Sequence, residues 1–245
     1  MPKMATPIQR LAHLSYKIFG SQSNDIVTKD KLYPLIQSMN EIKAGDLNFD
    51  PNEVVTRDEA LKMRGDMAPV TVMNVHQNRH FTMAVFIVKT GGSLPLHDHP
   101  NMFGLLKVIS GSVKITSYTK VDPQPLPKDV QFPGAHSPYI LTVKRNQDVI
   151  LADSDHCCFL SPSEGNFHEI KPLTDVAAFL DILAPPYNSM DRECSYYKEL
   201  PLHSPDHEDI CWLTEISHPR SYWCDVLNYK GPLLNPIDYS SEDSS

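Results

Sequence analysis

The sequence predicts an all-β sandwich or barrel preceded by a short helical region. Two observations carry this reading. From about Val70 onward the apolar residues recur with period two in many short runs, and turn signals such as Gly91-Gly92 and Ser110-Gly111 separate them. Apolar residues at helical spacing, by contrast, are confined to the N-terminal flank. Many short strands with helices only at one end describe one β domain with a helical appendage, and 245 residues do not require a second core.

The elements follow in order. Ile8, Leu11, Leu14 (or Ser15) and Ile18 recur as one face of an amphipathic helix. Thr28 can cap a second helix carrying Leu32, Leu35, Ile36, Met39 and Ile42, with Pro34 tolerated near its first turn. Residues 44–67 are charged and irregular and read as a connector, so residues 1–68 form the helical region and 69–237 the barrel domain. Strands are expected at Val70–Val75, Phe81–Thr90, Phe103–Ile109, Ser112–Val121, Tyr139–Lys144, Asp148–Ala152, Cys157–Leu160, Phe167–Lys171, Val176–Leu183 and Ile210–Glu215. The segment Leu96-His97-Asp98-His99-Pro100 lies between two alternating runs, at the end of a further strand. Five prolines between Asp122 and Pro138 indicate a stiff surface loop, and the acidic Ser/Asp tail, residues 238–245, is expected to be disordered.

Composition narrows the function classes. Apolar content of 41% and charged content of 21% describe an ordinary soluble globule. A net charge of -8 argues against a nucleic-acid surface, and no apolar run reaches the length of a membrane span. No early stretch has the form of a secretory leader, so a cytoplasmic protein without nucleic-acid or membrane partners is expected, and a monomer is the working expectation. Cysteines 157, 158, 194, 211 and 224 are odd in number and dispersed, which suits free thiols in a reducing compartment.

His97 and His99 are the residues that carry chemistry. In a strand i and i+2 share one face, about 7 Å apart at the backbone, so both imidazoles can converge on one metal ion. A lone His-x-His is a weak signal, but its surroundings are ordered. The chain reads Gly91, five residues, His97-x-His99, four residues, Gly104, six residues, Gly111, and later Pro162-Ser163-Glu164-Gly165-Asn166-Phe167-His168. These segments resemble the two signatures of the cupin superfamily, a jelly-roll barrel (double-stranded β-helix) with a metal inside. The resemblance implies His97, His99 and His168 as metal ligands. Where the cupin pattern has a glutamate this chain has Gly104, which removes a fourth, carboxylate ligand. Asp98 neighbours His97, hence faces the opposite side of the strand, and cannot readily complete a two-histidine, one-carboxylate triad. The other histidines (13, 76, 80, 136, 156, 203, 207 and 218) have no such frame and read as surface or loop residues. Three neutral imidazoles leave the charge of a divalent metal uncompensated and several positions open, which favours an anionic substrate such as a thiolate together with O2.

A longer resemblance covers residues 81–197. Pro95-Leu-His-Asp-His-Pro100, Leu106-Lys107-Val108, Asn166-Phe-His-Glu-Ile170 and Ala178-Phe-Leu-Asp-Ile-Leu-Ala-Pro-Pro-Tyr187 look like the 2-aminoethanethiol dioxygenase family, whose plant relatives are the plant cysteine oxidases. The resemblance implies a non-haem Fe(II) enzyme that adds both atoms of O2 to a thiol sulfur. Substrates in the family are cysteamine and proteins with an N-terminal cysteine, the products are hypotaurine or cysteine sulfinate, and the latter reaction serves oxygen sensing.

Single residues bear on this. Asp181 interrupts the apolar run Val176–Leu183, where an ionised carboxylate is costly unless partnered. It either pairs with a lysine or arginine, or waits for the ammonium group of the substrate, as the family's aspartate at this place implies. Tyr187 follows Pro185-Pro186, a stiff turn that can aim its hydroxyl at the cavity or simply pack it. Cys194 and Tyr196 match a pair that forms a thioether crosslink in animal members of the family; a free thiol beside an ordinary aromatic is the alternative. Asp98 and Glu169 are candidates, by adjacency, to orient the ligand rings. The related cysteine dioxygenases use an early-strand arginine for the substrate carboxylate, and Arg79 is the residue on offer here. The competing readings are a non-catalytic metal-binding cupin and a cupin dioxygenase acting on another small substrate such as free cysteine.

Overall fold

A computed structural model of the chain describes residues 4–20, 27–55, 67–126, 139–202 and 208–234. The acidic tail and most of the proline-rich loop lie outside the described residues. Helix α1 (Pro7–Phe19) begins at Thr6, whose side chain and that of Gln9 cap one another's backbone N–H groups, with Pro7 as its first residue. Its buried face is Ile8, Leu11, Ala12 and Ser15. Helix α2 (Lys29–Asn40) starts at Thr28, which accepts from the Lys31 amide at 3.4 Å. Pro34 falls in its second turn, later than the sequence suggested, and so removes one interior hydrogen bond. Leu32, Leu35 and Met39, all with no exposed surface, hold the helix in place regardless. Part of the expected connector is ordered as a 3-10 turn, Ala44–Leu47. No described helix is long and apolar enough to cross a membrane.

The rest is β: β1 (Val70–Gln77), β2 (Thr82–Lys89), β3 (Leu94–Asp98), β4 (Phe103–Ser110), β5 (Ser112–Lys120), β6 (Ile140–Arg145), β7 (Val149–Ala152), β8 (Cys158–Leu160), β9 (Phe167–Pro172), β10 (Val176–Ala184), β11 (Tyr196–Glu199), β12 (Ile210–Ile216) and β13 (Cys224–Val226). The ten expected strands appear with shifts of a residue or two at their ends. Strands β11 and β13 were not expected: both are short and polar, and each exists through its partners, β11 between β12 and β3, β13 parallel to β1. At the turn between β4 and β5, Gly111 has φ of 71°, and a Cβ there would meet the Val176 carbonyl at 2.5 Å, so only glycine fits.

The strands form two sheets in the orders β13-β1-β2-β10-β4-β8 and β6-β12-β11-β3-β9-β5-β7, packed as a jelly roll. Both helices lie on the outer face of the first sheet and share a core with it; Leu11 and Met39 belong to the same apolar cluster as Met83 and Leu180. A second cluster, including Val88, Val108, Ile170 and Phe179, fills the space between the sheets. The second sheet also curls back on itself, because β6 pairs with both β12 and β5.

Strand β10 shows how this layering works. Ala178, Leu180 and Ile182 point to the helices, while Ala177 and Phe179 point between the sheets. Both faces are therefore buried, and the run reads as continuously apolar rather than alternating. Asp181 shares its face with Phe179 and so points between the sheets.

Candidate metal centre

His97 lies in β3, His99 one residue past its end, and His168 in β9, paired directly opposite His97. All three are buried, with exposures of 8%, 2% and 9%. Their ring centroids are 4.8 Å apart in every pairing, and one ligand atom from each lies within 4.8 Å of the others. The structure thus brings together the three histidines that the sequence singled out.

Their hydrogen bonds define which nitrogens are free. Nδ1 of His97 faces the Pro95 carbonyl at 2.7 Å, a contact that requires the proton on Nδ1. The Tyr187 hydroxyl donates to the Asp98 carbonyl at 2.6 Å, so its oxygen accepts from Nδ1 of His99 at 2.7 Å. Nε2 of both rings is left with a lone pair aimed inward. Nε2 of His99 and of His168 stand 3.1 Å apart. Two nitrogens at right angles on a metal, each about 2.1 Å away, would be about 3.0 Å apart. Burial holds all three imidazoles below the ordinary histidine pKa, His99 and His168 well below it, so they stay neutral and ready to ligate. The donor set fits a divalent transition metal, and imidazole alone does not name which.

The position of the missing carboxylate is closed. A Cβ on Gly104 would lie 2.9 Å from Cγ of Leu160, so a leucine side chain occupies the space into which a larger residue would grow.

A cavity of about 200 Å³ opens beside the three rings. Leu94, Phe86 and Phe179 form apolar walls, and Asp181 and Tyr187 line it as well. Burial raises the Asp181 carboxyl to about 7. Among the described residues no lysine or arginine pairs with Asp181, and none lines the cavity. The ion pair that the sequence left open as its role is therefore not formed. Arg79 bonds to His80 on the exposed β1–β2 turn and is not part of this cavity.

Cys194 and Tyr196 also line the cavity, and the Cys194 thiol is within hydrogen-bonding reach of the hydroxyls of both Tyr187 and Tyr196. Burial pushes that thiol up to about 11. What places this pair is Asp98. Its carboxylate accepts from the Ser195 amide at 2.9 Å and from the Tyr197 hydroxyl at 2.9 Å, fastening β11 to β3 so that Tyr196 lies opposite His97.

Asp98 and Glu169 do not orient the ligand rings. The Asp98 carboxylate is committed to β11, and Glu169 pairs with Lys171 at 2.8 Å on the opposite face of β9. The Pro95 carbonyl and Tyr187 do that work instead. A backbone carbonyl leaves no mark in a sequence pattern, and sequence adjacency to a histidine selects the wrong face of a strand. Tyr222, from the segment between β12 and β13, lines the cavity too, and no motif pointed to it.

The chain is 31% identical to the 2-aminoethanethiol dioxygenase of Homo sapiens, over 96% of this chain and all of that protein (100%). It is 27% identical to Plant cysteine oxidase 1 of Arabidopsis thaliana, over 89% of this chain and 72% of that protein. A cupin superfamily protein of Desulfitobacterium hafniense overlaps 48% of this chain and 78% of its own, at 15% identity and a TM-score of 0.31. With residues 38–234 matched by the PCO_ADO family model, the chain belongs to the PCO_ADO family.

Proposed function

We propose that this chain is a non-haem Fe(II) thiol dioxygenase acting on cysteamine and on the N-terminal cysteine of proteins. The observation that carries this reading is the single unpaired carboxylate, Asp181, in a cavity with three neutral imidazoles and no lysine or arginine in its lining. Such a cavity suits a substrate with a thiol at one end and an ammonium at the other. It offers no lysine or arginine to a free carboxylate, which disfavours free cysteine.

Bound by His97, His99 and His168, a ferrous ion would acidify the thiol and activate O2. The protein's own groups do the rest. Asp181, ionised, pairs with the substrate ammonium and sets the direction of the bound thiol. Tyr187 and the Pro95 carbonyl hold His99 and His97 in the tautomer that presents Nε2. Phe86, Leu94 and Phe179 keep water away from the reacting sulfur. Overall a thiol and O2 give a sulfinic acid: the sulfur loses four electrons, O2 gains them, and both oxygen atoms stay on sulfur. Cys194 and Tyr196 border this space as a pair able to form a thioether. Five free cysteines accord with a reducing compartment, so the cytoplasm, with the protein as a monomer, is the proposed setting.

Mass spectrometry after aerobic incubation of the iron-loaded chain with cysteamine and with a Cys-initiated peptide tests the reading. A gain of two oxygens is expected on both, and no gain on either would refute it.

A further inference from the structure

The segment between β12 and β13, residues 217–223, passes from the second sheet to the first. Both of its ends are held. β12 pairs with β6 and β11, while β13 runs parallel to β1, where the Thr71 hydroxyl meets the Asp225 carboxylate at 2.5 Å and the Leu227 amide donates to Val72 at 2.9 Å. A turn closed by the Tyr222 amide on the Pro219 carbonyl, at 3.0 Å, tightens the segment further. It carries two rings to the metal cavity. Tyr222 lines the cavity, with its ring 6.0 Å from that of Tyr196. His218 is solvent-exposed and lies against both, stacked on Tyr222 at 5.6 Å and edge-on to Tyr196 at 4.9 Å. Tyr196 in turn lies 6.5 Å from the His97 ring. A continuous path of rings thus leads from a metal-binding imidazole to solvent.

The cavity is too small to hold more than the reacting end of a long substrate. Its 200 Å³ or so falls below the ~300–1,000 Å³ of sites that engulf a drug-sized ligand, so a peptide must leave it toward solvent. We propose that Tyr196, His218 and Tyr222 read the residue that follows the N-terminal cysteine of a peptide substrate, favouring a flat aromatic side chain there. This rests on the thiol dioxygenase reading. The three rings pack on one another between the cavity and solvent, with His218 exposed and Tyr196 and Tyr222 partly so. Their backbone is already held by both sheets, so little ordering is lost when a further ring joins them.

The test uses the full-length, iron-loaded chain with three substrates: cysteamine, a Cys-Phe-initiated peptide and the matching Cys-Gly-initiated peptide. The expected kcat/KM ratio of Cys-Phe over Cys-Gly is roughly two- to tenfold, the effect of one aromatic pair. His218→Ala should bring that ratio toward one, and His218→Phe, which keeps a ring, should preserve it. Circular dichroism of both variants verifies that an exposed position has been changed without loss of fold. A ratio near one in the parent chain, or a ratio unmoved by His218→Ala, overturns the inference while oxidation of cysteamine continues. If the parent oxidises none of the three, the thiol dioxygenase reading falls and the inference with it.

Discussion

The hydroxyl of Tyr187 bridges two successive residues of the metal segment, donating to the carbonyl of Asp98 and accepting from Nδ1 of His99. One phenol thereby sets both the backbone and the ring of a ligand. Its position follows from Pro185-Pro186, which end β10 and turn the chain back toward the site. Tyr187→Phe should leave the fold intact and weaken iron binding by 10–100-fold, the usual cost of losing a group that orients a ligand. Competition with a chelator measures this; an unchanged affinity would mean that the bond does not orient the ring.

Asp181 bears on activity and on stability in opposite directions. Folding raises its pKa from 3.8 to about 7, so the native state holds this proton more tightly than the unfolded chain does. The stability it contributes is complete below the unfolded value and is lost as pH rises toward 7. In metal-free protein above that pH, Asp181→Asn should therefore be more stable than the parent, by about 1–4 kcal/mol once water in the cavity is allowed for. Turnover of an amine-bearing thiol should fall at least tenfold in the same variant, with iron retained. Denaturant melts and steady-state rates check the two halves, and a variant less stable than its parent would contradict the assignment of Asp181 as a half-buried acid without a cationic partner.

Metal-free protein should also lose stability on the acid side. His97, His99 and His168 are all held below 6.5, so the unfolded chain takes up protons that the native state refuses. Stability is full above the unfolded value and declines as pH falls below it. Thermal unfolding should show this decline, bound metal should suppress it at moderate acidity, and His168→Ala should flatten it. A metal-free Tm that is level through this range would show that the three rings are not buried neutral.

Gly104 is closed to larger residues by Leu160. Gly104→Glu should cost about 1–3 kcal/mol of stability through overpacking and should not yield a fourth ligand. Gly104→Glu combined with Leu160→Ala should recover part of the loss. Full stability of the single variant, seen in denaturant melts, would mean that Leu160 moves freely.

The thiol of Cys194 lies within hydrogen-bonding reach of the Tyr196 hydroxyl, and a thioether between the two residues is part of the proposed reading. Exposure of the iron-loaded chain to O2 should lower its intact mass by two hydrogens, as S–H and ring C–H are replaced by one S–C bond and O2 takes the electrons. Cys194→Ser should abolish the change. An unaltered parent mass after prolonged exposure would show that the pair stays free.

Much of this architecture is legible in the chain. Period-two patterning located most of the long strands, because one face of each must be apolar to build a core, and β10 showed instead as a continuous apolar run. The candidate metal ligands were legible for a related reason: His97 and His99 need one strand face, and His168 lies in a segment that resembles the second cupin signature. Asp181 stood out as a charge inside an apolar run. Strands β11 and β13 left little trace, since Tyr-Tyr-Lys-Glu and Cys-Asp-Val become strands only when β3, β12 and β1 supply their hydrogen bonds.

Local spacing by itself therefore determined the fold class, the His97–His99 pair and the carboxylate of Asp181 inside an apolar run, and the resemblance to known signature segments added His168. Only the tertiary structure decided what surrounds them. The Asp98 carboxylate meets Ser195, 97 residues away in the chain, and His218 and Tyr222 meet Tyr196 because a crossing between sheets carries them there. Such contacts are set by how strands are ordered in a sheet, and periodicity along one strand carries no information about that order.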